Sequence, residues 1–283
     1  YDSNPNAMRA LKANSIFTNV ALTPEGGVWW EGMDKESPDN LTSWLGEEWT
    51  PNNGKKAAHP NARFTAPAVQ CPVIDEKWED PKGVPISAIL FGGRRSSVVP
   101  LVHEAFSWRH GTFMGTIVST QTTAAAAGEI GKLRHDPFAM IPFCGYNMGD
   151  YFRHWLSVGE RAQHDKLPKV FYVNWFSKDE SGKYLWPGFG DNIRVLEWVF
   201  ERTNGKIGAQ KTAIGYVPHA EDLNTKGLDI KEQDVKKLLE VDVAKWLDEV
   251  KEIKEYYKIF GDNLPEGIAQ ELEDLERRLE RKE

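Results

Sequence analysis

Arg94 and Arg95 follow Gly92-Gly93 at the end of the apolar run Ala88-Ile89-Leu90-Phe91. The run reads as a buried strand. The glycines permit a sharp turn or a close backbone approach to a ligand. The planar donor fork of arginine suits phosphate and carboxylate oxygens, and strand ends are where α/β proteins commonly place such groups. Anion binding is the chemistry this stretch could do; a loop carrying two solvated arginines is the plain alternative.

A second pair is Asn61 and Arg63, in His59-Pro60-Asn61-Ala62-Arg63-Phe64. Pro60 biases His59 to extended backbone. On an extended segment, residues two apart share a face, so an amide beside a guanidinium could hold a carboxylate or phosphate. A loop capped by its own side chains is the alternative. The third group is aromatic: Trp175 and Phe176 directly after a strand, then Tyr184 and Phe189 in glycine- and proline-bearing loops. Planar rings on loops can stack on a purine. Asn192, entering a helix, can donate to and accept from a base edge. Against this stands an aromatic mini-core with Asn192 as a helix cap.

The elements that must position these groups follow from pattern. A short helix is expected over Ala7–Lys12, then a hairpin of Ile16–Ala21 and Val28–Glu31 around the Pro24–Gly27 turn. Residues 34–58 are polar, with Trp44 and Trp49 anchoring the segment. Pro81–Pro85 turns into the Ala88–Phe91 strand. Val102, Ala105, Phe106 and Arg109 suggest a short helix over Pro100–Arg109, and Phe113–Val118 reads as a strand. Residues 122–132, rich in alanine and bounded by glycine, could be a mobile flap or a surface loop with one helical turn. Tyr151–Gln163 reads as helix, with His154 structural. Val170–Val173 is a strand, Lys178–Lys183 a polar turn, Ile193–Arg202 a helix and Ile214–Pro218 a short strand or loop. Trp246, Val250, Ile253, Tyr257 and Phe260 form one apolar helical stripe, and Ile268, Leu272, Leu275 and Leu279 a second.

The chain has 283 residues, 40% hydrophobic and 27% charged, with a formal net charge of −7. The charge does not recommend a nucleic-acid binder, and no run is long and apolar enough to suggest a membrane span. Cys71 and Cys144 have no metal-binding spacing and read as reduced and buried, without a disulfide, in a cytoplasmic setting. Neither G-x-G-x-x-G nor G-x-x-x-x-G-K-[ST] occurs, so a usual triphosphate cradle is missing.

Together these motifs carry a resemblance. His59–Phe64, Phe91–Arg95, His135-Asp136-Pro137-Phe138-Ala139-Met140, Asn174-Trp175-Phe176, Leu185–Asn192 and the body from Asn14–Val20 onward closely resemble the C-terminal part of GTP-dependent phosphoenolpyruvate carboxykinases. The resemblance covers essentially the whole chain and several independent motifs in order. It implies a mixed α/β (α+β) nucleotide-binding domain over 1–283 with mixed sheets, a lid at 122–132 and a helical C-terminal section at 229–283. The implied reaction is oxaloacetate plus GTP to phosphoenolpyruvate, GDP and carbon dioxide, by decarboxylation and then phosphoryl transfer to the enolate.

The resemblance also implies roles. Arg63 and Arg94 would grip the transferring phosphoryl group, and Asn61 would orient the substrate carboxylate. Phe176 and Phe189 would stack on guanine, with Trp175 alongside and Tyr184 at its edge, and Asn192 would help choose guanine. The Ala124–Ala127 run departs from relatives that place a glutamate near 127. Mn2+ and Mg2+ are implied, but their ligands and the phosphate loop precede the matching region in the family. The chain therefore reads as a fragment, inactive alone, whose partner is the missing N-terminal part; a monomer is expected. A guanine-nucleotide-binding module without catalysis, or a structural domain, are the alternatives.

Overall fold

The computed structural model describes residues 5–122 and 131–281, without the side chains of 5–7 and of Phe189. The chain divides into two compact units, one formed mainly by residues 1–84 and the other by 85–122 and 131–283. No helix among the described residues is long and apolar enough to cross a membrane.

The first unit begins with α1 (Pro5–Ala10), followed by β1 (Ile16–Thr18), β2 (Ala21–Leu22), β3 (Val28–Trp29), β4 (Leu41–Thr42), β5 (Glu48–Trp49) and β6 (Arg63–Thr65). The expected hairpin is present, with Ala21 opposite Trp29. Its first strand is broken, however, because Asn19 takes a left-handed φ of 60°. The break sends β1 to pair with β6 and β2 to a small sheet of order β3-β2-β4-β5. The polar stretch 34–58 thus contains two short strands. Trp29, Leu41 and Trp49 close a small core with Ala21 and Ala57. Trp49 Nε1 donates to the Lys55 carbonyl at 2.7 Å, and Glu31 accepts the Ala57 N–H at 2.6 Å.

The second unit is built on β7 (Ala88–Gly92), β8 (Val102–Glu104), β9 (Ser119–Gln121), β10 (Leu133–His135), β11 (Lys169–Val173), β12 (Gln210–Thr212) and β13 (Gly215–Val217). Its helices are α2 (Trp108–Thr116), α3 (Met148–Arg161), α4 (Asn192–Thr203), α5 (Glu232–Leu239), α6 (Val243–Tyr257) and α7 (Glu266–Glu280). The main sheet has the order β12-β13-β8-β11-β7; β9 and β10 pair separately. Both faces of this sheet are covered, which is why β11 is apolar from Val170 to Val173. Val170 and Tyr172 face the core formed with α2, α3, α6 and α7. Phe171 and Val173 face the core formed with α4 and α5. The two C-terminal stripes are buried as their spacing predicts, Trp246 and Ile253 on α6 and Ile268, Leu272, Leu275 and Leu279 on α7.

Two expectations fail at the same place. Residues 102–104 form β8, not a helix, and 108–116 form α2, where a strand was expected at 113–118. Ser107 caps α2 by accepting the His110 N–H at 3.1 Å. The helix is buried along His110–Thr116, so it has no polar face to reveal a 3.6-residue period. A side chain at Gly111 would strike Val170, and one at Gly115 would strike Phe138. The cysteines are free, as expected, but Cys71 is exposed and Cys144 half-buried; they lie on loops, not in the core. His154 is exposed and its carbonyl accepts the Ser157 hydroxyl.

Candidate functional site

β7 and β11 run parallel, with Val173 opposite Gly92. Parallel pairing brings their C-terminal ends together, and two loops, 93–96 and 174–177, leave side by side. At Gly93 a Cβ would be driven into the Ser119 carbonyl oxygen. The glycine that the sequence offers for a ligand is thus required first by the approach of β9.

Arg94 is stitched to β9 three times. Its N–H donates to Thr120 Oγ1 at 3.0 Å, its carbonyl accepts the Gln121 N–H at 2.9 Å, and its Nε donates to the Gln121 carbonyl at 3.2 Å. The side chain is held by Nε alone. Among the described residues its terminal nitrogens have no partner, which leaves the fork available to an anion. Arg95 does not share that role. It is 6% exposed, pairs with both oxygens of Glu249 on α6 at 2.5 and 3.1 Å, and donates to Ser119 Oγ at 2.6 Å. The paired arginines of the sequence therefore split into one guanidinium open to a ligand and one committed to the core.

Asn174, fully buried, ties the two loops. Its Oδ1 accepts the N–H of Arg95 and of Phe176, both at 3.2 Å. Its Nδ2 lies 3.0 Å from the Arg95 carbonyl, 2.9 Å from the Val99 carbonyl and 3.0 Å from Ser177 Oγ. Sequence reasoning gave it no role beyond the family motif, although a polar residue directly after the apolar run Val170–Val173 was a visible signal.

Beyond Asn174 stand the aromatic residues. Trp175 is half-buried against the core under α4 and α5. Phe176 meets Tyr184 edge-on, with centroids 6.2 Å apart and planes at 71°. Tyr184 is exposed and carries Lys178 Nζ 4.9 Å above its ring. The turn between them is held by Asp179, whose carboxylate accepts from the Ser181 hydroxyl and from the Ser181 and Lys183 N–H groups. The same bonds, the Ser181 hydroxyl first, hold its carboxyl below the usual range. Gly188 then takes φ 106° and ψ −150°, a region open only to glycine. The ring of Phe189 lies outside the described residues.

Asn192 is the first residue of α4, and Asp191 occupies the cap position without a side-chain cap bond. Asn192 Oδ1 accepts from the indole Nε1 of buried Trp186 at 2.9 Å. One of the oxygen's two lone pairs is thus engaged. The bond sets the amide with its oxygen toward the indole and its NH2 as the end without a partner among the described residues.

The proposed lid falls almost wholly on residues outside the described ones. Its base is described: Thr122 N–H donates to the Lys132 carbonyl and Gly131 N–H to the Thr122 carbonyl, each at 2.9 Å. These bonds extend the β9–β10 hairpin. The segment therefore springs from the strand that holds Arg94.

Asn61 and Arg63 belong to the first unit. The Ala62 N–H donates to the His59 carbonyl at 2.9 Å, so 59–62 is a turn and Asn61 is not on extended backbone. Arg63 opens β6 opposite Thr18. Both side chains are exposed. The turn is anchored by the His59 ring, which lies edge-on to Trp44 at 4.7 Å and accepts the Asn61 N–H at its Nδ1.

Among the described residues no three His, Cys, Asp or Glu groups could hold a metal ion. A cleft of about 1180 Å3 lies elsewhere, lined by residues such as Lys211, Lys237 and Arg278; it includes none of the residues just described.

Comparison with known proteins bears on the whole chain. A family profile described as "Phosphoenolpyruvate carboxykinase C-terminal P-loop domain" matches residues 1–278. The chain is 57% identical over 278 residues to phosphoenolpyruvate carboxykinase [GTP] of Chlamydia caviae, covering 98% of this chain and 46% of that protein. It is 51% identical over 280 residues to the protein of the same name from Renibacterium salmoninarum, covering 99% and 46%. The chain thus spans about half the length of the curated relatives it matches.

Proposed function

The chain belongs to the GTP-dependent phosphoenolpyruvate carboxykinase family, and from that membership we propose that it serves the reversible conversion of oxaloacetate and GTP to phosphoenolpyruvate, GDP and carbon dioxide, as in gluconeogenesis. The observation that carries this reading is the pairing of the Arg94 loop with the Asn174–Phe176 loop at adjoining strand ends. One loop presents a guanidinium for phosphate oxygens. The other presents an aromatic face for a base. A nucleotide is the ligand class that needs both at once.

In this reading Phe176 and Phe189 stack on guanine, Tyr184 borders it and Trp175 backs the loop. The Asn192 amide donates to the guanine O6, an acceptor where adenine carries an amino group. Arg94 neutralises charge on the phosphoryl group as it moves, where a fixed donor fork contributes most. For Arg63 the family motif implies a phosphoryl contact and for Asn61 the substrate carboxylate; their support is that motif alone. The Mn2+ and Mg2+ used in this reading find no ligand set among the described residues, and no step here is routed through them. The free cysteines suit a cytoplasmic setting.

The test is a titration of the chain with GDP and with ADP, followed by tryptophan emission and by calorimetry. Saturable binding that favours GDP is expected. Absence of binding to either nucleotide, or equal binding of both, would overturn the reading.

A further inference from the structure

We infer that Trp186 is a specificity-determining residue that acts through Asn192, by fixing which end of the Asn192 amide meets the base. The inference rests on the guanine-site reading above and assigns its selectivity to a residue that touches no ligand.

An asparagine amide is nearly symmetric in shape and opposite in chemistry at its two ends. Turned one way it donates and suits the guanine O6; turned the other way it accepts and suits the adenine amino group. An asparagine free to turn reads both bases. Asn192 is not free to turn. Trp186 Nε1 lies 2.9 Å from its Oδ1, and an indole N–H can only donate. The oxygen must therefore be the end that faces the indole, which leaves the NH2 as the end without a partner among the described residues.

The indole is itself immobile. Trp186 is 1% exposed and packs in the core with Val195, Trp198 and Phe171. Turning the amide over would set NH2 against N–H and strand a buried donor, which proteins rarely tolerate. The surrounding backbone places the two residues six apart across the Gly188 turn. Selectivity for guanine is thus built from the core outward: the core fixes the indole, the indole fixes the amide, and the amide selects the base.

The experiment measures GDP and ADP affinity, by calorimetry, in the unaltered chain and three variants. Asn192→Asp keeps an acceptor for the indole but offers the base only acceptors. It tests the reading of the site, and its GDP-to-ADP preference should fall or invert. Trp186→Phe removes the donor. Replacing Trp186 by benzothienylalanine, the isostere with sulfur in place of N–H, removes the donor while keeping the packing, so the test survives if Trp186→Phe does not fold. Both Trp186 variants should lose about tenfold in the GDP-to-ADP ratio, the worth of one misplaced hydrogen bond, with ADP affinity unchanged or improved. If Asn192→Asp shifts the ratio but the benzothienylalanine variant keeps it, the inference about Trp186 is wrong and the site reading stands. If Asn192→Asp leaves the ratio unchanged, or the unaltered chain binds no nucleotide, the site reading fails and this inference with it.

Discussion

Asn174 and Arg95 hold each other in both directions: the amide oxygen accepts the Arg95 N–H at 3.2 Å and the amide nitrogen donates to the Arg95 carbonyl at 3.0 Å. This is the exchange that neighbouring strands make, carried out by a side chain where β7 and β11 have both ended.

Asn174→Ala should therefore destabilise the chain by about 2–4 kcal/mol, since it leaves several buried backbone groups without partners. Urea unfolding followed by circular dichroism gives the value. A loss under about 0.5 kcal/mol would mean that water replaces the amide and that the two loops are not joined through it.

The buried pair Arg95–Glu249 makes a different prediction. Glu249→Ala strands a guanidinium in the core and should cost about 3–5 kcal/mol, whereas the double change Arg95→Met with Glu249→Leu should cost less than either single change. A double-mutant cycle in urea measures this. Additive losses would show that the two side chains do not depend on one another.

For Arg94, replacement by lysine keeps the charge and loses the planar fork. In the active enzyme Arg94→Lys should lower kcat by about a hundredfold, with a smaller fall in nucleotide affinity. Steady-state rates beside nucleotide titrations separate the two effects. An unchanged kcat would remove Arg94 from the chemistry.

Acid sensitivity should come from the core under the sheet. Burial pushes His103 down from 6.5 to about 3, and His110 is lowered too, by burial first and then by Arg278. Between about pH 6.5 and about pH 3 the unfolded chain therefore holds protons that the folded chain refuses, so stability is full above that window and falls as pH drops through it. Each such histidine contributes at most about 1.4 kcal/mol per pH unit. His103→Phe, which keeps a ring against Tyr172, should flatten the slope of unfolding free energy between pH 6.5 and 4.5 by up to one proton, a range inside the window set by the His103 shift. The same slope in the variant would assign the protons to other groups.

What the sequence revealed and what it hid divide along physical lines. α6 and α7 have one buried face each, so their stripes were readable. β11, covered on both faces, was readable because it is short and β-branched. α2 was not: a helix buried all round shows no period, and Ile117-Val118 after it mimic a strand. In the site, residue types were legible but pairings were not. Nothing local distinguishes Arg94 from Arg95; the difference is Glu249, which the fold brings to Arg95 from α6. Nor does any local pattern announce that the Asn192 oxygen is bonded to Trp186.

The Arg95–Glu249 bond also sets a clock. Its partners are 154 residues apart in the chain, and translation proceeds at about 5–20 residues per second. The loop that carries Arg94 is thus synthesised roughly 8 to 30 s before the carboxylate that pins it, a delay that follows from this separation and that rate. During biosynthesis Arg95 is a charged side chain with nowhere to go, and the sheet beneath it must wait for α6. The Arg94 loop is among the first parts of the second unit to be made and among the last to be secured.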